Sequence, residues 1–200
     1  MKDLTDPLHI FSYLRIYKNV VHEGINKNIL EICKSSIPQF QKSRIFAHND
    51  GSQQIQEKIR SAGAWNLDNI TNDSKTAQYL CNLFKKIFRE YTRTYMDSIS
   101  FKNVGFSITT IDILKYIKGG HYVYHHDDTL SAPRTFSCIY LINDGYEGGE
   151  LCFNTLSGSS ELILPSEPNS LIMWPSNFIY QHAVKPVTEG ERYSVVSWIR

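Results

Sequence analysis

The second half of the chain limits the fold most tightly. After residue 100, eight short β-rich runs follow one another: "GFSITTIDILKYI", "YVYHH", "RTFSCIYLI", "GGELCF", "ELILP", "NSLIMW", "IYQHAVKPV" and "RYSVVSWI". Turn residues separate them, in "NDG", "EGG", "SGSS", "SEPNS" and "TEGE". No gap holds a helix-length crossover, which parallel strands of one sheet require. The runs therefore predict antiparallel pairing, as a barrel or a two-sheet jelly roll.

Up to about residue 98 the texture is helical. "HEGINKNILEICKSS" places Ile25, Ile29, Ile32 and Cys33 near one face and stops before Pro38. A longer stripe follows at spacings of three and four: Ala77, Leu80, Cys81, Phe84, Ile87, Phe88, Tyr91 and Tyr95. Asp73 or Ser74 is the candidate N-cap. Such a stripe is a packing face, laid here against a sheet. The polar stretch "RIFAHNDGSQQIQEKIRSAGAWNLDN" between the helices reads as long loops with short elements near a substrate site. The fold class is mainly β with flanking helices. At 200 residues one domain is expected, with residues 1–100 as a helical and loop support and 101–200 as a β core.

Composition excludes several function classes. The formal net charge is +1 and no basic block is present, so nucleic-acid binding gains no electrostatic support. No stretch approaches the roughly 18 apolar residues of a membrane span, and the first residues lack the apolar run of a secretory segment. Cys33, Cys81, Cys138 and Cys152 form no CxxC pair and read as buried free thiols. A cytoplasmic location is the expectation.

The chemistry concentrates in "GGHYVYHHDD", residues 119–128. On a strand, residues two apart share a face. His125 with Asp127, or His126 with Asp128, would then offer one imidazole and one carboxylate to a single ion. Two ligands are too few, and His182 lies in a strand-like stretch of the same half. Two histidines and one carboxylate make the facial triad of non-haem Fe(II) oxygenases, which leaves positions open for co-substrate and oxygen. Ten residues on, "RYSVVSWIR" turns Arg192, Ser194, Val196 and Trp198 to one side. A planar guanidinium with a nearby hydroxyl is suited to gripping a carboxylate.

These residues resemble the Fe(II)- and 2-oxoglutarate-dependent dioxygenases of the prolyl 4-hydroxylase type, including bacterial and viral members. The family pattern Y-x-x-G-G-x-Y-x-x-H-x-D is matched by Tyr116, Gly119, Gly120, Tyr122, His125 and Asp127. "RTFSCIYLINDGYEGGELCF" is similar to the family's Arg, short strand and "GGE" turn, and "HAVKPVTEGERYSVVSW" to its H-x-V-x-P-V-x-x-G-x-R run. The likeness covers roughly residues 101–200. "IRSAGAWNL" resembles the segment that precedes the catalytic core. Arg192 stands where collagen-type members carry Lys, and "YLIN" replaces "YLN", which leaves the facing of Tyr140 open.

The resemblance implies a double-stranded β-helix, a cupin-like jelly roll packed against the N-terminal helices. It implies Fe(II) held by His125, Asp127 and His182, with 2-oxoglutarate and O2 as co-substrates and ascorbate as an accessory. Arg192 would bind the distal carboxylate, with Tyr116 and Ser194 as hydroxyl partners. Arg134 has a family counterpart facing either substrate or a structural ion pair. The implied reaction hydroxylates an unactivated C–H, first a prolyl residue of a peptide or protein, and yields succinate and CO2. Another amino-acid side chain, a free amino acid, or a non-catalytic jelly roll that binds metal or ligand are the alternatives. Tyr122, Tyr124, Trp174 and Trp198 are candidate pocket walls, and ordinary sheet packing is the competing role for each.

Overall fold

The computed structural model describes residues 11–46, 53–68, 74–155 and 160–200. Its main sheet has seven antiparallel strands. In spatial order they are β1 (Arg15–Lys18), β13 (Ser170–Pro175), β9 (Phe136–Leu141), β16 (Arg192–Ile199), β7 (Ile108–Tyr116), β6 (Gly63–Asn66) and β2 (Gln41–Lys42). A five-stranded sheet faces it: β12 (Glu161–Ile163), β11 (Leu151–Asn154), β14 (His182–Val184), β8 (His121–His125) and β5 (Arg60–Ser61). Two two-stranded pairs complete the β structure among the described residues: β3 (Ile45–Phe46) with β4 (Gln53–Gln54), and β10 (Glu147–Gly148) with β15 (Val187–Glu189). This is the jelly roll expected, mainly β with two helices.

The main sheet is buried on both faces. Phe136, Cys138 and Tyr140 of β9 pack on the helices, whereas Ile139 and Leu141 face the second sheet. The same alternation sends Ile111 and Ile113 of β7 one way and Leu114 and Tyr116 the other. A sheet enclosed like this reads as continuous apolar sequence, because neither face needs polar residues. It also settles Tyr140, which points away from the space between the sheets. Its hydroxyl donates to Asn26 Oδ1 at 2.7 Å and Asn169 Oδ1 at 2.9 Å.

Helix α1 (Glu23–Ser35) and helix α2 (Lys75–Ser98) cover the outer face. The α2 stripe is buried much as its spacing predicts, from Ala77 to Tyr95, with Thr92 and Met96 added. Ser74 caps it through a bond from Ala77 N at 3.4 Å, while Asp73 lies outside the described residues. In α1, Ile25 is exposed and Asn26 takes its buried place. Asn26 Nδ2 donates to the Ile142 carbonyl at 2.9 Å, which satisfies the polar group within the core.

The N-terminal part holds more strand than its spacing suggests. β1, β2 and β6 extend the main sheet, and β5 extends the second. Strands from both sides of residue 100 therefore share one ladder, as Trp65 does with Ile113. No helix among the described residues is long and apolar enough to cross a membrane.

Candidate metal and co-substrate site

Adjacent strands of the five-stranded sheet bring His125 and His182 together. β14 pairs antiparallel with β8, and His182 stands opposite His125. Each imidazole is fixed by its Nδ1. That of His125 meets the Val123 carbonyl at 2.9 Å, and that of His182 meets the Tyr180 carbonyl at 2.9 Å. A carbonyl can only accept, so both Nδ1 atoms carry a proton, and in the neutral tautomer this selects, Nε2 keeps the lone pair that could ligate a metal. Those Nε2 atoms converge on Asp127, at 3.7 Å from Oδ1 for His125 and 3.4 Å from Oδ2 for His182. One donor atom from each of the three residues lies within 4.8 Å of the others.

Asp127 reaches this point by a route other than strand parity. β8 ends at His125, and Asp127 sits in the following loop. The Ser176 carbonyl accepts from both Asp127 N and Asp128 N, at 3.1 and 3.0 Å, and anchors that loop to the end of β13. Ser137 Oγ of β9 donates to Asp127 Oδ2 at 2.6 Å and lies 2.7 Å from Ser176 Oγ. Burial works against the Asp127 carboxylate, but His182, His125, Arg134 and the Ser137 hydroxyl together hold its pKa at about 2. Burial, then the neighbouring His182, pushes His125 down to about 3 against the pull of Asp127. The carboxylate is therefore charged and the His125 imidazole neutral near pH 7, the forms in which each can ligate a metal.

The other residues of the histidine-rich run serve elsewhere. His121 lies between the Gly119 and Lys58 carbonyls, at 2.9 and 3.3 Å. His126 is exposed. Asp128 Oδ1 accepts from Arg134 N at 3.0 Å and shapes the loop. Arg134 itself donates to the Asp127 carbonyl at 3.0 Å and stacks 3.7 Å above the Trp198 ring. It thus holds the loop and also lines the cavity.

That cavity has a volume of about 160 Å³ and lies between the sheets. Tyr122, Trp174 and Trp198 are in its wall; Tyr122 also stacks on His125 at 3.5 Å, and Trp174 meets His182 edge-on at 4.9 Å. Tyr124 departs from expectation. It is exposed on the far face of β8 and donates to Glu161 Oε1 at 2.7 Å.

Arg192 lies on the inward face of β16, opposite Tyr116 of β7. It is 1% exposed, the largest fully buried side chain in the protein's described residues. Its guanidinium carbon is 5.2 Å from the centre of the Tyr116 ring, and Nη1 donates to Ser194 Oγ at 2.9 Å. No acidic partner faces it among the described residues, and its buried Nε has no hydrogen-bond partner. A buried charge in this condition is costly unless an anion completes it. The double glycine of "EGGE" makes room for it: a Cβ on Gly149 would come within 3.0 Å of Arg192 Cδ. Tyr116 lines the cavity and Arg192 lies against its ring, so the guanidinium with the Tyr116 and Ser194 hydroxyls is a donor set of the kind a keto-acid carboxylate needs.

Sequence reasoning missed Ser137, Ser176 and Asp112. A signal existed for Ser137, the polar residue within the apolar run "FSCIYLI". Asp112 lines the cavity from β7 and accepts from Asn66 Nδ2 at 2.8 Å.

Comparison with known proteins agrees with this geometry. Residues 111–200 match the family model described as the 2OG-Fe(II) oxygenase superfamily. A PKHD-type hydroxylase of Synechococcus sp. (strain CC9902) is 38% identical over 85 residues, covering 40% of this chain and 36% of its own length. The chain spans about two fifths of the length of the curated relatives it matches. Among solved structures, a Pseudomonas putida prolyl-4-hydroxylase is similar with a TM-score of 0.69 at 17% identity, covering 94% of this chain and 91% of its own. A Trichoplax adhaerens prolyl hydroxylase, solved with a hypoxia inducible factor peptide fragment, gives 0.71 at 17% identity over 96% of this chain and 84% of its own. At such identity the structures speak for the fold, and the family match speaks for the site's class. The chain carries a 2OG-Fe(II) oxygenase domain over residues 111–200.

Proposed function

We propose that this chain is an Fe(II)- and 2-oxoglutarate-dependent dioxygenase that hydroxylates an unactivated C–H, with a prolyl residue of a peptide or protein as its first substrate class. The reading is carried by one pairing: three converging donors from His125, Asp127 and His182, and a buried Arg192 with no acidic partner among the described residues, both between the same two sheets. The prolyl assignment leans on the printed descriptions of the structural neighbours. Four buried free thiols support a reducing, cytoplasmic setting.

His125, Asp127 and His182 would hold Fe(II) on one side and leave the cavity side open. When bound, Fe(II) and 2-oxoglutarate supply O2 activation coupled to oxidative decarboxylation, so that one oxygen atom enters succinate and the other the substrate C–H. The chain's own groups position and shield. Val123 and Tyr180 carbonyls set the two imidazole tautomers. Ser137 orients the carboxylate. Arg192 would neutralise the distal carboxylate of the keto acid, with Ser194 fixing the guanidinium and the Tyr116 ring against it. Trp174, Tyr122 and Trp198 keep the reacting centre apolar and dry. Ascorbate would act as a reductant from solution.

Incubation with Fe(II), 2-oxoglutarate and O2 tests the reading, with succinate as the product measured, with and without proline-rich peptides. An anaerobic Fe–keto-acid absorption band is the second readout. A chain that forms neither succinate nor the band is not this enzyme.

A further inference from the structure

Asp112 is a carboxylate in a cavity wall with no role in holding metal or keto acid. On β7 it is four residues from Tyr116, so about 13 Å separates it from the Arg192 end along the strand. Its cross-strand neighbour on β16 is Val196, and Trp198 follows beyond a β-bulge. Asp112 therefore faces the end of the cavity walled by Trp198 and Arg134, opposite the end proposed for 2-oxoglutarate.

Its two oxygens differ. Oδ1 is held by Asn66 Nδ2 at 2.8 Å, from the neighbouring strand β6. Oδ2 has no hydrogen bond and no ion pair within 4 Å among the described residues. Asn66 thus fixes the carboxylate plane while the second oxygen stays open to the cavity. Backbone strain is present two residues away, where Thr110, a β-branched residue that also lines the cavity, has φ +28°. Such strain is uncommon away from functional sites. Across the cavity, Arg60 is 9% exposed, donates to the Arg44 carbonyl at 3.4 Å, lies 4.8 Å from the centre of the Tyr122 ring and acts electrostatically on Asp112; its buried Nε has no hydrogen-bond partner among the described residues. The open carboxylate oxygen of Asp112, with the Arg60 Nε–H as a neighbouring donor, suits a ligand that presents N–H beside C=O or carboxylate.

The geometry points to Asp112 as a specificity-determining residue that accepts a hydrogen bond from a substrate N–H, either a backbone amide of a peptide or the ammonium of a free amino acid. The inference rests on the oxygenase reading for its biological setting. An N–H is lacking at a peptidyl proline itself, so in a peptide the donor is the amide of an adjacent residue.

Binding tests it without turnover. The full chain, loaded anaerobically with Fe(II) and 2-oxoglutarate and again without either, is titrated calorimetrically with two probe pairs. One is a proline-containing tetrapeptide against the same peptide N-methylated at the amide after proline. The other is L-proline against N,N-dimethyl-L-proline. The wild-type protein binds the N–H-bearing member of one pair about tenfold more tightly than its methylated partner. The pair that shows the preference identifies the source of the donor. Asp112→Asn keeps the Asn66 bond, turns a donor into the cavity and abolishes the preference. Asn66→Ala removes the bond but keeps the carboxylate, and so retains the preference. Wild-type protein with no preference in either pair overturns the inference, as does equal loss in both variants, which would make the pair a strand clamp. Succinate production without preference leaves the enzyme reading standing and removes this one; preference without succinate does the reverse.

Discussion

His125 and His182 face each other across the β8–β14 ladder, with ring centroids 4.2 Å apart. The pairing makes the metal site a property of strand register. A one-residue slip would send His126, now exposed, into the interior and His125 out. His125→Ala should therefore abolish the anaerobic Fe–keto-acid band, and His126→Ala should keep it. The band after each substitution, read alongside thermal melting, decides the matter. The opposite result would place the register one residue off.

Asp127 depends on Ser137. The 2.6 Å bond from Ser137 Oγ aims one carboxylate oxygen, and the packed strand behind it holds the serine rigid. Ser137→Ala should lower Fe(II) affinity about 10- to 100-fold, as loss of a bond to a metal ligand does. Direct metal titration is the measurement, and an unchanged melting temperature in metal-free protein separates orientation from folding. An unchanged affinity would mean that Arg134 and the loop suffice.

Arg192 should fail as lysine. Lysine keeps the charge but loses the planar fork and the bond geometry to Ser194. Arg192→Lys is expected to raise the KM for 2-oxoglutarate roughly 10- to 100-fold, the range of a charge-assisted bond, with a smaller effect on kcat. Initial rates of succinate formation against 2-oxoglutarate concentration give both constants. A loss confined to kcat would place Arg192 away from the co-substrate.

How far these residues were legible depends on what each contributes. The eight β-rich runs announce the jelly roll because turn residues interrupt them at short intervals. His125 and Asp127 are legible as a pair, yet the parity argument behind them is only half right. The strand ends at His125, and Asp127 arrives through a loop tied to Ser176. Ser176 acts through its backbone carbonyl, which no side-chain pattern reveals. Asp112 and Tyr140 hide for another reason. With both faces of the main sheet buried, alternation disappears, and nothing local tells which face points to the cavity. β1, "RIYK", is four residues long and finds its place only by pairing with β13, where Ile16 stands opposite Ile172, 156 positions along the chain.

The double-glycine turns separate local strain from steric exclusion. Gly145 and Gly148 have similar positive φ, +76° and +69°. A Cβ on Gly145 meets nothing within 4 Å, while one on Gly148 would lie 2.2 Å from the Pro186 carbonyl oxygen. Gly145→Ala should cost about 1–2 kcal/mol, the left-handed penalty alone. Gly148→Ala should cost clearly more, because the β10–β15 pair must part to admit it. Urea denaturation of both variants gives the comparison. Equal losses would mean that the pair opens without strain.

The buried thiols set the alkaline limit. Burial pushes Cys33 up to about 12 and Cys152 up to about 11. In the unfolded chain these thiols ionise near 8.5. The folded state holds its protons longer, so this contribution to stability is complete below about pH 8.5 and is lost as pH rises toward 11 and 12. Urea midpoints should hold steady up to about pH 8.5 and then decline, and Cys33→Ala should flatten that decline. In native protein at pH 8, thiol titration with a disulfide reagent should be far slower than in urea, since the reactive form is the thiolate. Rapid native labelling of Cys33 would show that α1 lifts from the sheet on the timescale of the assay.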